Sequence, residues 1–200
     1  MSKIAVIGGG SFGTVIANII ALNGHDVQFW MRSDDLVDEL NSQHENTQYL
    51  PGYTISKRVI ATENMVEAVS DANAIFVAVP SSSFREVVQQ VIVHAPIESL
   101  LISTTKGIEA GSFKLMSQIM VEESPSAKIG VLSGPNLAKE IASRHPTGTV
   151  IASNYEEVRE RVKDILCSDT FKVYTNDDMF GVELGGSLKN IYAIIAGLAS

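Results

Sequence analysis

KIAVIGGGSFGTVIANIIALNGHDVQFWMRS, from Lys3 to Ser33, is the stretch that decides the fold. Its first apolar run, Ile4 to Ile7, is short, β-branched and flanked by turn residues, the pattern of a buried strand. From Thr14 onward Val15, Ile16, Ile19, Ile20 and Leu22 recur at helical spacing, and Gly24 stands where a helix C-cap belongs. Between strand and helix lie Gly8, Gly10 and Gly13 as G-x-G-x-x-G. Gly8 permits a tight turn, Gly10 lets the backbone approach a pyrophosphate, and Gly13 lets the helix pack close to the strand. The free N–H groups and dipole at the helix start then receive phosphates. The glycines alone are weak evidence. Placed as strand, glycines, helix and strand within about thirty residues, they define a dinucleotide-binding unit.

The second strand is expected over Val27 to Met31. In NAD-binding units an acid at this strand end holds the ribose 2′-hydroxyl. Here the position, nineteen residues past Gly13, is Arg32. An arginine there stacks on adenine and pairs with a 2′-phosphate, which favours NADPH over NADH. The alternative is that Arg32 is a solvated loop cation and Asp34 takes the ribose.

The alternation continues outward. Glu63 to Ser70 reads as a helix, and Ala74 to Val79 as a buried strand stopped by Pro80. A helix over Phe84 to His94 follows the loop PSSSF. Strands are expected at Leu100 to Ser103, Ile129 to Leu132, Thr149 to Ala152 and Phe171 to Thr175. A short helix over Asn136 to Ser143 is expected in SGPNLAKE. A further helix runs to Leu166 from a capping box made by Ser153 or Asn154 with Glu156 or Glu157. The prediction is a Rossmann-type, doubly wound, mostly parallel α/β sheet. Ligands in such sheets sit beyond the strands' carboxyl ends, so Pro80 to Ser83, Thr104 to Gly107 and Ser133 to Asn136 are the informative segments.

Lys106 follows a strand end and precedes a glycine, a place from which it can face a ligand phosphate or carbonyl. STTK also matches S-x-x-K, but that nucleophile motif opens a helix and its K-T-G companion is absent from the chain. The start of the SGPNLAKE helix is a second candidate anion site. Met179 to Ser200 reads as a mostly apolar helix containing Gly185, Gly186 and Gly197. Each glycine costs a helix about 1 kcal/mol relative to alanine, so close approach of another backbone or a ligand is expected. Lys189, one charge on an apolar helix, is expected to be paired or to lie in a pocket as a general acid. Glu183 is a candidate partner.

Composition narrows the partners. The 200 residues carry a formal net charge of −8, which argues against nucleic acid because phosphate-backbone binding needs a basic face. The single cysteine, Cys167, cannot form an internal disulfide, so a reducing cytoplasm is expected. The four histidines lack metal-ligand spacing, so no metal is expected. No apolar run is long enough to span a bilayer, and no signal-peptide pattern precedes the first strand.

GGGSFGT, FWMR, VAVPSSSF, TTKGIE, SGPNLAKEI and GGSLKNIYAIIAGL follow one another along the chain. In this order and spacing the sequence resembles the bacterial NAD(P)-dependent glycerol-3-phosphate dehydrogenases, over the whole chain. The last three motifs are the most specific. The resemblance implies reduction of dihydroxyacetone phosphate to sn-glycerol 3-phosphate with NADPH or NADH, for phospholipid synthesis, and a homodimer at full length. It implies that Ser11, Phe12, Arg32, Pro80 and Ala138 contact the cofactor beside Gly8, Gly10 and Gly13. Lys106 would touch cofactor and substrate, and Gly134, Asn136 and Asn190 would face the substrate. Lys189 would be the proton donor and acceptor. At Asn136 the family often carries serine or threonine. It also implies a Rossmann domain over residues 1–178 and a helical substrate domain of which 179–200 is only the first helix. The substrate-phosphate ligands would then lie beyond Ser200, and the chain alone would bind dinucleotide with little or no turnover. Two competing readings are a related hydroxy-acid or ketopantoate-type dehydrogenase and a non-catalytic dinucleotide sensor, which would have no use for Lys106 and Lys189.

Overall fold

The computed structural model describes residues 3–199; the side chains of Asn190 and Ala199 lie outside the described residues. The chain begins β1 (Lys3–Ile7), α1 (Ser11–Leu22), β2 (Asp26–Trp30), α2 (Asp34–Gln43), β3 (Val59–Thr62) and α3 (Met65–Val69). It continues β4 (Ala74–Val77), α4 (Phe84–His94), β5 (Leu100–Ser103), α5 (Met116–Glu123) and β6 (Lys128–Ser133). It closes with α6 (Ala138–Ala142), β7 (Thr147–Ala152), α7 (Glu156–Leu166), β8 (Phe171–Asn176) and α8 (Met179–Ala199). One sheet holds all eight strands in the order β3-β2-β1-β4-β5-β6-β7-β8. Every neighbouring pair is parallel except β6 with β7.

Strand order reverses at β1, which pairs with β2 on one side and β4 on the other. A crevice therefore opens beyond the carboxyl ends of β1 and β4. Alternate residues of each strand point to opposite faces. Ile4, Val6, Phe29 and Phe76 pack with α1 and α7, whereas Ala5, Ile7, Ile75 and Val77 pack with α3, α4 and α5. Burial on both faces explains the unbroken apolar runs. The doubly wound sheet is the one expected.

Several local expectations change. Helices α2 and α5 and strand β3 were not foreseen. The helix expected over Asn136 to Ser143 is only Ala138–Ala142; the Asn136 Oδ1 that could cap an earlier start accepts from Thr149 Oγ1 at 3.1 Å instead, while its Nδ2 donates to Gly148 O at 3.0 Å. The capping box of α7 does not form. Ser153 is fully buried at the end of β7, where its hydroxyl donates to Ile129 O. The N-cap of α7 is instead Tyr155, without a side-chain cap bond. Helix α8 has two unlike halves. Its first half lies on the sheet, but Ile191, Tyr192, Ile194, Ile195 and Leu198 are 53–83% exposed. Among the described residues no helix is long and apolar enough to cross a membrane.

Candidate functional site

The glycine turn is built as the sequence requires. Gly8 has φ +122°, and a Cβ there would strike the Ala78 carbonyl of the segment after β4. A Cβ on Gly13 would strike the Gly8 carbonyl oxygen, so α1 sits directly on the turn. Gly10 differs, because a Cβ there would meet nothing within 4 Å. It is the N-cap of α1 and has no side-chain cap, so the first N–H groups of the helix are left for a ligand.

These groups open onto a cavity of about 920 Å³. The glycine turn with Ser11 and Phe12 forms its floor, Trp30 to Ser33 one end, and Ala78 to Ser83 and Thr104 to Lys106 the other. Asn136 to Ala138, Leu36, Gln48 and Tyr49 complete the wall. The chain is strongly acidic overall, yet the lining carries two cations, Arg32 and Lys106, and no carboxylate among the described residues. Such a lining suits an anion long enough to reach from one lysine to one arginine.

Lys106 stands on a rigid mount. Thr104 donates to Val77 O at 3.0 Å and Thr105 to Val79 O at 2.7 Å, tying the end of β5 to the end of β4. The Lys106 ammonium donates to Gly134 O at 2.7 Å. Beyond it, Glu109 receives a two-pronged bond from Arg85 at 2.8 Å on both sides. Arg85 also pairs with Glu122 and Glu123 on α5. Lys106 as a residue is exposed, yet the protein around its ammonium lowers its pKa by burial, and the nearby charge of Lys189 lowers it further.

Of the residues singled out from sequence, Gly8, Gly10, Ser11, Phe12, Arg32, Pro80, Lys106, Asn136 and Ala138 line the cavity. Gly13 is buried behind it. Gly134 sits just outside, its carbonyl held by Lys106. Lys189 is exposed. It is close enough to Lys106 for charge repulsion. Glu183 does not pair with it and bonds to α5 instead. The Asn190 side chain lies outside the described residues. Asp34, the alternative ribose ligand, faces Glu63, whose carboxyl it holds above the usual range by hydrogen bonding and repulsion.

Sequence reasoning missed the segment from His44 to Arg58. Asn46 is 1% exposed and donates to Gly9 O at 3.0 Å and Thr14 Oγ1 at 2.8 Å. The Ser11 hydroxyl donates to Tyr49 O at 2.6 Å. This segment therefore clasps the glycine turn and brings Gln48 and Tyr49 to the wall. Its signal was its length, since connections of this size without regular structure are uncommon and usually functional.

Fold and cavity together define a dinucleotide-binding α/β domain of the doubly wound kind. Residues 3–159 match the family model described as the NAD-dependent glycerol-3-phosphate dehydrogenase N-terminus. The chain belongs to this family. It is 50% identical over 198 residues to a glycerol-3-phosphate dehydrogenase (NAD(P)+) of Teredinibacter turnerae, covering 99% of this chain and 58% of that protein. It is 51% identical to the enzyme of the same name from Pseudomonas fluorescens, covering 98% and 57%. The crystal structure of the Coxiella burnetii glycerol-3-phosphate dehydrogenase superposes with a TM-score of 0.92 at 35% identity, over 99% of this chain and 61% of that one. The chain thus spans a little over half the length of the curated relatives it matches.

Proposed function

We propose that this chain is the cofactor-binding part of an NAD(P)-dependent oxidoreductase that reduces dihydroxyacetone phosphate to sn-glycerol 3-phosphate. The observation that carries the reading is the cavity: a bare helix N-terminus at the glycine turn, with Arg32 at one end, Lys106 at the other and no carboxylate between. The names of the relatives supply the substrate.

The residues fit a dinucleotide. Gly10 leaves open space where the diphosphate would approach. The N–H groups at the start of α1 and the Ser11 and Phe12 backbone would hold it, and Arg32 would face the adenosine and a 2′-phosphate. Pro80 and Ala138 would bound the nicotinamide side. When bound, the reduced nicotinamide supplies the hydride.

The protein supplies the proton and the charge. Lys189 would donate a proton to the substrate oxygen at C2 and take it back in the reverse reaction. A positioned general acid contributes roughly 10²–10⁴ in rate. Lys106 would orient the same oxygen and stabilise negative charge growing on it. Its pKa is lowered first by burial and further by the nearby charge of Lys189. Gly134, Asn136 and Asn190 complete the substrate side. Residues 1–178 form the dinucleotide domain in this reading, and α8 opens the substrate domain. A cytoplasmic setting and a homodimer at the relatives' length belong to the same proposal, as does supply of a phospholipid precursor.

The test follows NADPH oxidation on adding dihydroxyacetone phosphate, using protein of the relatives' length and its Lys189→Ala variant. Rapid oxidation that drops by orders of magnitude in the variant is expected. Binding of NADPH with no response to dihydroxyacetone phosphate would overturn the substrate assignment and leave the other dehydrogenases or a sensor. The 200-residue chain is expected to bind NADPH with little turnover.

A further inference from the structure

Among the described residues Glu183 is the one charged residue that is buried, at 3% exposure, and the chemistry above gives it no part. It lies in the second turn of α8. Its carboxylate sits on the start of α5, where it accepts the Ser117 N–H at 3.0 Å and the Ser117 hydroxyl. The Met116 N–H contributes as well. Three residues on, a Cβ at Gly186 would collide with Ser133 Oγ, so α8 lies directly on the end of β6. One residue further, the Ser187 hydroxyl meets the backbone of Gly107, accepting from its N–H at 3.3 Å. Gly107 follows Lys106, and Lys189 follows Ser187 by two.

Glu183, Gly186 and Ser187 fall at i, i+3 and i+4 and so form one face of α8. That face is fastened to three separate elements. The arrangement has a cost, because a buried carboxylate gives up hydration that an apolar side chain would not need. In return, a carboxylate on two N–H groups and a hydroxyl fits in few orientations, whereas an apolar contact slides. Lys189 lies six residues past Glu183, about 9 Å along the helix axis, so a small rotation at Glu183 is carried to the ammonium.

We propose that Glu183 is a positioning residue: by clamping α8 to the start of α5 it holds the Lys189 ammonium beside Lys106. The proposal rests on the reading above, in which these two lysines serve the substrate oxygen. Glu183 itself is not among the residues that line the cavity.

The experiment uses protein of the relatives' length and compares wild type with Glu183→Ala, Glu183→Gln and Ser117→Ala. Turnover is expressed per NADPH-binding site, counted by fluorescence titration. Glu183→Ala is expected to lower kcat about 10- to 100-fold, the cost of a misplaced reacting group, with the NADPH Kd within about twofold of wild type. Glu183→Gln, which keeps an acceptor for the Ser117 N–H, recovers part of the loss. A role confined to holding the fold together would reduce the number of binding sites and leave kcat per site unchanged. That result, or kcat per site within twofold of wild type in all variants, overturns the proposal. Should Glu183→Ala yield no NADPH-binding protein, Ser117→Ala leaves both backbone donors in place and carries the same comparison.

A second readout needs no turnover. Competitive acylation by acetic anhydride at pH 8, read by mass spectrometry, reports how readily Lys106 loses its proton. Withdrawing Lys189 raises the Lys106 pKa and slows its labelling, so Glu183→Ala and Lys189→Ala are expected to slow it alike. Slowing in Lys189→Ala but not in Glu183→Ala overturns the positioning role. If wild type ignores dihydroxyacetone phosphate, the substrate reading falls, while the acylation comparison still decides where Glu183 places Lys189.

Discussion

The Lys106 ammonium donates to the Gly134 carbonyl oxygen across 2.7 Å. One residue follows β5 and the other follows β6, so the bond ties together two of the loops at the carboxyl end of the sheet. The ammonium is thereby aimed, and its neighbour Gly107 is held by Ser187 of α8.

Removing the ammonium while keeping the stem should therefore separate chemistry from folding. Lys106→Met in protein of the relatives' length is expected to lower kcat/KM for dihydroxyacetone phosphate by about 10²-fold or more, the scale of a lost electrostatic stabiliser. The melting temperature should move by no more than a few degrees, because the residue is exposed and the lost hydrogen bond is worth about 1 kcal/mol. Steady-state kinetics and a thermal melt decide it. Unchanged kcat/KM would remove Lys106 from the site.

Two glycines make opposite predictions. A Cβ on Gly13 runs into the backbone of Gly8, which cannot yield without moving the turn. Gly13→Ala is expected to destabilise the domain by about 1–3 kcal/mol, the usual cost of overpacking. A Cβ on Gly10 meets nothing within 4 Å, so Gly10→Ala should fold normally. Its methyl would stand where the diphosphate approaches, and NADPH affinity should fall at least about tenfold. Urea unfolding and fluorescence titration on both variants give the crossed pattern, and equal NADPH binding by Gly10→Ala and wild type would place the diphosphate elsewhere.

In the proposed reading Arg32 sets the cofactor preference. It is exposed at one end of the cavity, where a fork of donors suits a 2′-phosphate. Arg32→Ala is expected to weaken NADPH about tenfold or more and NADH by less than threefold. Titrations with the two nucleotides provide the ratio. Equal losses would mean that the guanidinium stacks on adenine and does not read the 2′-position.

Much of this was legible in the sequence for identifiable reasons. The helix over Phe84–His94 and the strand over Leu100–Ser103 occur where expected, because each has a strong period or a continuous apolar run bounded by polar turns. Helix α2 was missed because Asp34, Asp35, Asp38, Glu39 and Gln43 leave it only a narrow stripe, of which Leu40 alone is buried. Strand β3 has the same four-residue length as β5 but lies at the sheet edge with Ile60 exposed. The Asn46 clasp depends on contacts across more than thirty residues of chain, which no local pattern encodes.

Two carboxyls should give stability opposite pH dependences. Arg85 holds Glu109 down at about 2. A depressed carboxyl contributes stability that is present above its unfolded value, about 4.3, and is lost as pH falls from there through about 2. Wild type should therefore lose its advantage over Glu109→Gln on acidification across that window. Glu183 is the reverse, because burial raises its pKa against the pull of its hydrogen bonds. Between the unfolded value and the raised folded one, the folded protein binds the extra proton, so stability falls as pH rises. Relative to Glu183→Gln, which has no such proton, wild type should be at its best near pH 4 and decline above about 4.3. Urea midpoints for the three proteins at half-unit steps from about pH 2 to 8, taken as differences so that shared titrations cancel, give both slopes. A Glu183→Gln difference that is flat, or that grows in favour of wild type with rising pH, would mean that the Ser117 and Met116 donors outweigh burial and that the clamp is held by a fully ionised carboxylate.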